Sequence, residues 1–264
     1  MLRMLCPLLL LCVLDTSAAE RLRLATTTST QDSGLLAVLN PVFEAASGIS
    51  VDVIAVGSGK ALALARNGDV DVVLAHDPAA EEAFMADGAG IERRPVMTND
   101  FVIVGPATDP AGVRAAQSAA DALARIAGTQ SPFVSRGDQS GTHVKELALF
   151  AAAGVEPVGR WYLAAGQGMG PVLQIADEMP AYALADRGTW LARRATLDLH
   201  LLYAGDPALS NPYHVMLVDP ARHPHVRVDA ARAYADFLTG AHGQALIGGF
   251  LIDGETLFKP VTGP

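Results

Sequence analysis

Residues 21–56 read RLRLATTTSTQDSGLLAVLNPVFEAASGISVDVIAV, and the alternation within this stretch sets the expected fold. Residues 21–25 alternate polar and apolar side chains, as a half-buried strand does. Leu35, Leu39, Val42 and Phe43 then recur at helical spacing until Gly48, which stops the helix. Residues 49–56 read as a second strand. Outward from this unit the pattern continues: a helix over 60–67 closed by Gly68, a strand over 70–75, a helix over 78–85 and a buried strand over 101–104. A second, similar unit follows. It has a strand over 133–135, a helix over 141–153 with Val144, Leu147 and Ala151 as its apolar face, and a helix around 170–178. Strands over 181–185 and 199–203 complete it, and a strand over 213–218 and two amphipathic helices near 234–238 and 244–248 follow. Strands alternating with helices predict an α/β fold with a largely parallel sheet. The strands are too many for one small sheet and too irregular for an eightfold barrel. Two lobes are expected, lobe I from 20–106 and 212–264 and lobe II from 107–211. The chain crosses between them near Pro106 and Pro212, where proline and glycine suit interlobe connections.

Half of the 264 residues are hydrophobic and 18% are charged, which excludes a disordered chain. The formal net charge of −9 argues against a nucleic-acid partner, since neutralising phosphates needs a basic face. Residues 1–19 have a cationic start at Arg3, an apolar stretch over 8–14 and the small residues Ser17, Ala18 and Ala19. That is the pattern of a signal peptide, and the apolar stretch is well short of the roughly 20 residues a membrane span needs. The expectation is export to the periplasm. Cys6 and Cys12 both fall inside this segment, so the mature chain holds no disulfide.

Four loops could carry chemistry. Thr26 to Thr30 lies between a strand and a helix, and reads either as a polar loop or as a set of hydroxyls and amides for an anion. Gly57-Ser58-Gly59-Lys60 occupies the equivalent place. It is not a P-loop, because Ile54 and Ala61 stand where that motif needs glycine and Ser or Thr. It is either a plain turn or a close backbone approach to a ligand, with Ser58 as a donor. The most informative loop is Ser135-Arg136-Gly137-Asp138-Gln139-Ser140-Gly141-Thr142-His143, running from a strand end into a helix. Arg136 offers a planar fork of donors suited to a tetrahedral oxyanion, Asp138 can hold it, and Ser140, Gly141 and Thr142 add hydroxyls and amides. In the fourth, Arg187 is either a second cation or the partner of Asp186.

Nothing in the sequence supports catalysis, so no enzyme is expected. There is no nucleophile elbow, no histidine pair at helical spacing and no cysteine in the mature chain. His214, His223 and His225 lack further ligands for a metal. Neither a metal nor a cofactor is expected. The four loops lie at strand carboxyl ends, where open α/β sheets bind ligands.

Taken in order along nearly the whole mature chain, five blocks resemble the tungstate-binding proteins of ABC uptake systems. They are Thr26-Thr27-Thr28-Ser29, Val56-Gly57-Ser58-Gly59-Lys60-Ala61-Leu62, the Ser135–His143 stretch with Lys145-Glu146, Asp186-Arg187-Gly188-Thr189, and Asn211-Pro212-Tyr213. The resemblance implies a two-lobe type II periplasmic binding protein with the ligand cleft between its lobes. It implies ligand contacts from Thr28, Ser29, Ser58, Arg136, Ser140, Gly141 and Thr142, with Lys60 and Arg187 as further candidates. Gln139 stands where relatives often carry an acid. The implied partners are tungstate, with molybdate as a second candidate, and the membrane permease of an ABC transporter; the chain itself would be a monomer. Phosphate-binding proteins share the Arg-x-x-x-Ser-Gly-Thr element and are the competing reading. Phosphate keeps a proton at neutral pH and would favour a site carboxylate, for which Asp77 and Asp138 are the candidates. An enzyme acting on a small anionic metabolite is the alternative from another class.

Overall fold

The computed structural model describes residues 20–261; the expected signal peptide and both cysteines lie outside the described residues. β1 (Arg21–Thr27) leads through the single turn α1 (Thr28–Asp32) into α2 (Leu35–Ser47). Gly48 ends α2 at φ 73°, a left-handed conformation that glycine adopts without strain. β2 (Ser50–Val56), α3 (Ser58–Asn67), β3 (Val72–Ala75) and α4 (Pro78–Ala86) follow. Then come β4 (Gly90–Pro106), α5 (Ala119–Thr129), β5 (Phe133–Ser135), α6 (Gly141–Ala152) and β6 (Tyr162–Ala164). α7 (Met169–Glu178), β7 (Ala183–Asp186), α8 (Arg187–Arg193), β8 (Leu199–Tyr203) and β9 (Ser210–Val218) lead to α9 (Val228–Thr239) and α10 (Ala241–Gly249). Three short strands close the chain: β10 (Leu251–Ile252), β11 (Glu255–Thr256) and β12 (Lys259–Pro260).

The main sheet runs β12-β4-β9-β3-β1-β2, with β7 and β8 also paired to β4. β1 is parallel to β2 and β3, whereas β9 is antiparallel to both β3 and β4. The sheet is therefore mixed, which corrects the expectation of a largely parallel one. β3 and β4 run in the same direction, as a strand–helix–strand unit requires, but β9 inserts between them from more than 100 residues later. Hydrophobic periodicity carries no signal for such an insertion.

β4 is also longer than the strand expected over 101–104. Its first part, rich in charged and polar residues such as Arg93, Arg94, Thr98 and Asn99, pairs with β9; its apolar end pairs with β7 and β8. The exchange of partners falls between Asp100, opposite Ser210, and Phe101, opposite Asp186. Pro106 and Pro212 are themselves strand residues, paired with Leu199 and Thr98.

The core alternates across the strands. Val72 and Leu74 of β3 pack with Leu35, Leu39, Phe43, Tyr234 and Leu238, while Val73 and Ala75 pack with Ala61, Leu62, Ala65 and Phe84. Burial on both faces explains why β3 reads as an unbroken apolar run. In the same way Phe101 and Ile103 face Leu123 and Ile126 of α5, and Val102 and Val104 face Val172 and Leu173 of α7.

One acid sits inside this frame. Asp71 is fully buried and accepts hydrogen bonds from the Arg23 amide (2.8 Å), the Arg23 guanidinium (2.9 Å) and the Arg227 amide (3.1 Å).

The expectation for the inner face of α6 fails. Val144 and Leu147 are exposed, at 48% and 40%, and the buried side chains are Thr142, Glu146, Leu149 and Phe150. The helix is oriented by Phe150 packing on Phe133 and by a polar network around Glu146, which outweigh the apolar stripe.

Candidate functional site

Three strand ends lie side by side. The registers set Thr27 opposite Val56 and Thr26 opposite Leu74, so the loops that begin with Thr28, Ser58 and His76 leave the same edge of the sheet. The start of α6 faces them: a β-carbon on Gly141 would stand 3.5 Å from the imidazole Cε1 of His76. Ser140 caps α6, its hydroxyl accepting from the His143 amide at 3.4 Å.

A cavity of about 570 Å³ opens beside this contact. Thr28, Ser29, Asp32 and Ser33 line one side; Arg136, Gly168 to Pro171 at the start of α7, and Gly188, Thr189, Ala192 and Arg193 of α8 line the other. Arg136 is oriented by Asp138, whose Oδ2 accepts from Nη2 at 2.6 Å and Nε at 3.1 Å. The other oxygen of Asp138 accepts from the Ser140 amide at 3.2 Å. Partial burial would push the Asp138 carboxyl up, but these bonds and the guanidinium hold it below its ordinary value. The turn needs left-handed backbone at both Gly137 (φ 59°) and Gln139 (φ 59°).

Of the expected contacts, Thr28, Ser29 and Arg136 line the cavity. Ser58 is buried at the start of α3 beside them in strand register, and Thr142 is buried at the start of α6. Ser140 and Gly141 stand at the cap of that helix. Lys60 is exposed and is not among the lining residues. Arg187 does not pair with Asp186: its Nε and Nη2 donate to Asp100 at 2.5 and 2.6 Å. Asp186 instead caps α8 through Thr189. Both carboxylates considered as proton acceptors are engaged, Asp138 as above and Asp77 by the Ala80 amide as the cap of α4.

The sequence reading gave no contact role to three residues that the structure places here. His76 bonds Asn211 through Nδ1 at 3.0 Å, stacks on Tyr213 with ring centroids 4.6 Å apart, and places Nε2 3.4 Å from the Ser29 hydroxyl. Burial lowers the His76 pKa, which keeps the ring neutral. Asn211 is held in turn by Asn99 at 2.7 Å. The third, Arg193, reaches the cavity wall from the last turn of α8. The position of His76 directly after a strand was the available signal; for Arg193 there was none.

Among the described residues no group of three or more His, Cys, Asp or Glu is placed to hold a metal ion. His223 and His225 meet the backbone carbonyls of Arg66 and Gly68 at 2.9 Å, and His214 meets Glu81 at 2.8 Å. No helix among the described residues is long and apolar enough to cross a membrane.

Comparison with known proteins bears on this cleft. The family model of the PBP superfamily domain matches residues 15–242. A putative ABC transporter anion-binding protein of Haloferax volcanii is 51% identical over 248 residues, covering 92% of this chain and 72% of the relative. The tungstate-binding protein TupA of Peptoclostridium acidaminophilum is 45% identical over 249 residues, covering 93% and 87%. Among solved structures, that of the tungstate ABC transporter from Geobacter sulfurreducens is 53% identical with a TM-score of 0.81, covering 88% of this chain and 99% of that one. The tungstate-binding protein TupA from Desulfovibrio alaskensis G20 is 42% identical with a TM-score of 0.84, covering 93% and 100%.

Proposed function

The chain belongs to the PBP superfamily and, within it, to the tungstate-binding proteins, and on that premise we propose that it captures tungstate outside the cytoplasmic membrane and delivers it to an ABC permease. The observation that carries this reading is the Arg136 guanidinium, clamped by Asp138 on the wall of a cavity that also presents Thr28 and Ser29. A chain with net charge −9 does not attract a dianion overall, so the fork of Arg136 must meet its charge locally. Ser58, Ser140, Gly141 and Thr142 complete the set of hydroxyl and amide donors around the ion, with His76 and Arg193 added to those expected from the sequence. The protein does no chemistry on the ion. Residues 1–19 direct its export to the periplasm, and it works there as a monomer.

Titration calorimetry with tungstate, molybdate, sulfate and phosphate on metal-stripped protein tests the reading. Tungstate is expected to bind without added divalent metal, and phosphate weakly, because Asp77 and Asp138 are already occupied as acceptors. At a thousandfold excess over its dissociation constant the ion should add about 4 kcal/mol of stability. That raises the melting temperature by on the order of 10 °C for a chain of this size. Tungstate binding that depends on added metal, or tighter binding of phosphate, overturns the assignment.

The two lobes close on the ion. The cavity draws donors from α1 on one side of the β4 partner exchange and from Arg136, α7 and α8 on the other. Rotation about Asp100–Phe101 and Ser210–Pro212 would bring them together, a hinge motion absorbed by few residues. Small-angle scattering should show a smaller radius of gyration at saturating tungstate. An unchanged radius at saturation counts against closure unless the free cleft is already shut.

A further inference from the structure

Beneath the Arg136 loop lies an acid outside the proposed set of ligand contacts. Glu146 of α6 is 1% exposed, and its Oε2 has no hydrogen-bond partner. Its Oε1 lies 2.6 Å from the Tyr162 hydroxyl of β6, which in turn lies 2.9 Å from the Ser135 hydroxyl at the end of β5. Ser135 Oγ accepts from the Gly137 amide at 3.1 Å. Ser135 and Gly137 flank Arg136, so an unbroken chain of hydrogen bonds joins Glu146 to the backbone that carries the cation.

The Tyr162 hydroxyl has one hydrogen and two neighbours. If Glu146 is a neutral acid, it donates to Tyr162, which donates to Ser135. If Glu146 is ionised, the chain reverses: Ser135 donates to Tyr162, which donates to Glu146. The second arrangement leaves a full charge on a buried carboxylate with one orphaned oxygen, which is costly. It also sets a second negative charge below a site built for a dianion.

Among the described residues, the cations near α6 are engaged elsewhere. On the elements packed against α6, Asp121 and Arg125 of α5 pair with each other at 3.1 Å, and Asp186 of β7 is bound by Thr189. In the loop before α6, Arg136 is taken by Asp138, whose own charge disfavours a second anion at Glu146. On α6 itself, Lys145 donates to the carbonyls of Ala208 and Ser210, and His143 Nδ1 accepts from the Gln139 amide.

We propose that Glu146 is a positioning residue of the anion site whose carboxyl must keep its proton for a dianion to bind tightly. The inference rests on the tungstate reading above and deepens it: binding is linked to protonation of a group that never touches the ion. Burial, opposed by the Tyr162 and Ser135 bonds, pushes the Glu146 carboxyl up to about 7, so the proton is lost within an accessible range.

The test compares tungstate affinity of the parent and of Glu146→Gln by calorimetry between about pH 6 and about pH 9. The parent should hold its affinity up to about pH 7 and then lose up to about tenfold per pH unit, the limit for one linked proton. Glu146→Gln should be flat from this cause and bind more tightly than the parent at the alkaline end. In two buffers of different ionisation enthalpy, the parent should take up a proton on binding there and the variant should not. Tyr162→Phe supplies the second variant: losing the bond that favours the anion should move the parent's fall in affinity to higher pH. A flat parent profile, or the same slope in Glu146→Gln, overturns the role of Glu146. Absence of tungstate binding at every pH overturns the ligand assignment instead.

Discussion

Arg136→Ala should weaken tungstate binding by roughly 3–5 kcal/mol, which is about two to four decades in dissociation constant. The side chain is only 15% exposed and its fork is fixed by Asp138, so its charge acts in a partly desolvated setting at the cavity wall. Truncation removes the cation and also leaves the Asp138 carboxylate without its partner next to an incoming dianion. Arg136→Lys keeps the charge but loses the planar fork, and should fall between the parent and the alanine variant. Arg187→Ala is the control. Its guanidinium is committed to Asp100, so the change should alter stability more than affinity. Calorimetry with tungstate on each variant, with circular dichroism to check folding, decides the point. A folded Arg136→Ala protein that binds within about threefold of the parent places the anion elsewhere.

Asp71→Ala should cost roughly 3–5 kcal/mol of folding stability, the penalty for breaking a buried ion pair from one side. Asp71 is fully buried and joins three parts of the fold: Arg23 of β1, its own position before β3, and the Arg227 amide ahead of α9. Alanine leaves two backbone donors and the partly buried Arg23 guanidinium without their acceptor. Burial raises the Asp71 pKa, but the hydrogen bonds from Arg23 and Arg227 outweigh it and the folded value is depressed. A depressed carboxyl stabilises the fold above its unfolded pKa, and that contribution disappears as pH falls through the lower folded value. The difference between parent and variant in urea denaturation should therefore be full at neutral pH and shrink below about pH 4. Equal midpoints at neutral pH would show that the pair only balances its own desolvation.

Much of this protein is legible without tertiary structure because the relevant contacts are short in sequence. The first strand–helix–strand unit follows from the apolar periodicity of Leu35, Leu39 and Phe43 and from Gly48 and Gly68, each in the left-handed conformation at a helix end. The loop from β5 into α6 is equally local: Asp138 reaches Arg136 across two residues, and Ser140 caps the helix it precedes. What the sequence left undetermined depends on pairs far apart in the chain. The polar half of β4 has no strong apolar periodicity of its own and is held in place by β9, which arrives more than 100 residues later. Arg187 finds Asp100 across 87 positions and His76 finds Asn211 across 135, so their roles could not be deduced from neighbours. The inner face of α6 shows the same limit most clearly. Val144, Leu147 and Ala151 form the apolar stripe that periodicity selects, yet the helix turns Glu146 and Phe150 inward. Aromatic packing on Phe133 and the hydrogen bond with Tyr162 decide the orientation, and both partners come from strands distant in sequence. Local propensity determined which residues form elements and which loops carry donors; only the assembled sheet determined which side chains face one another across the cleft.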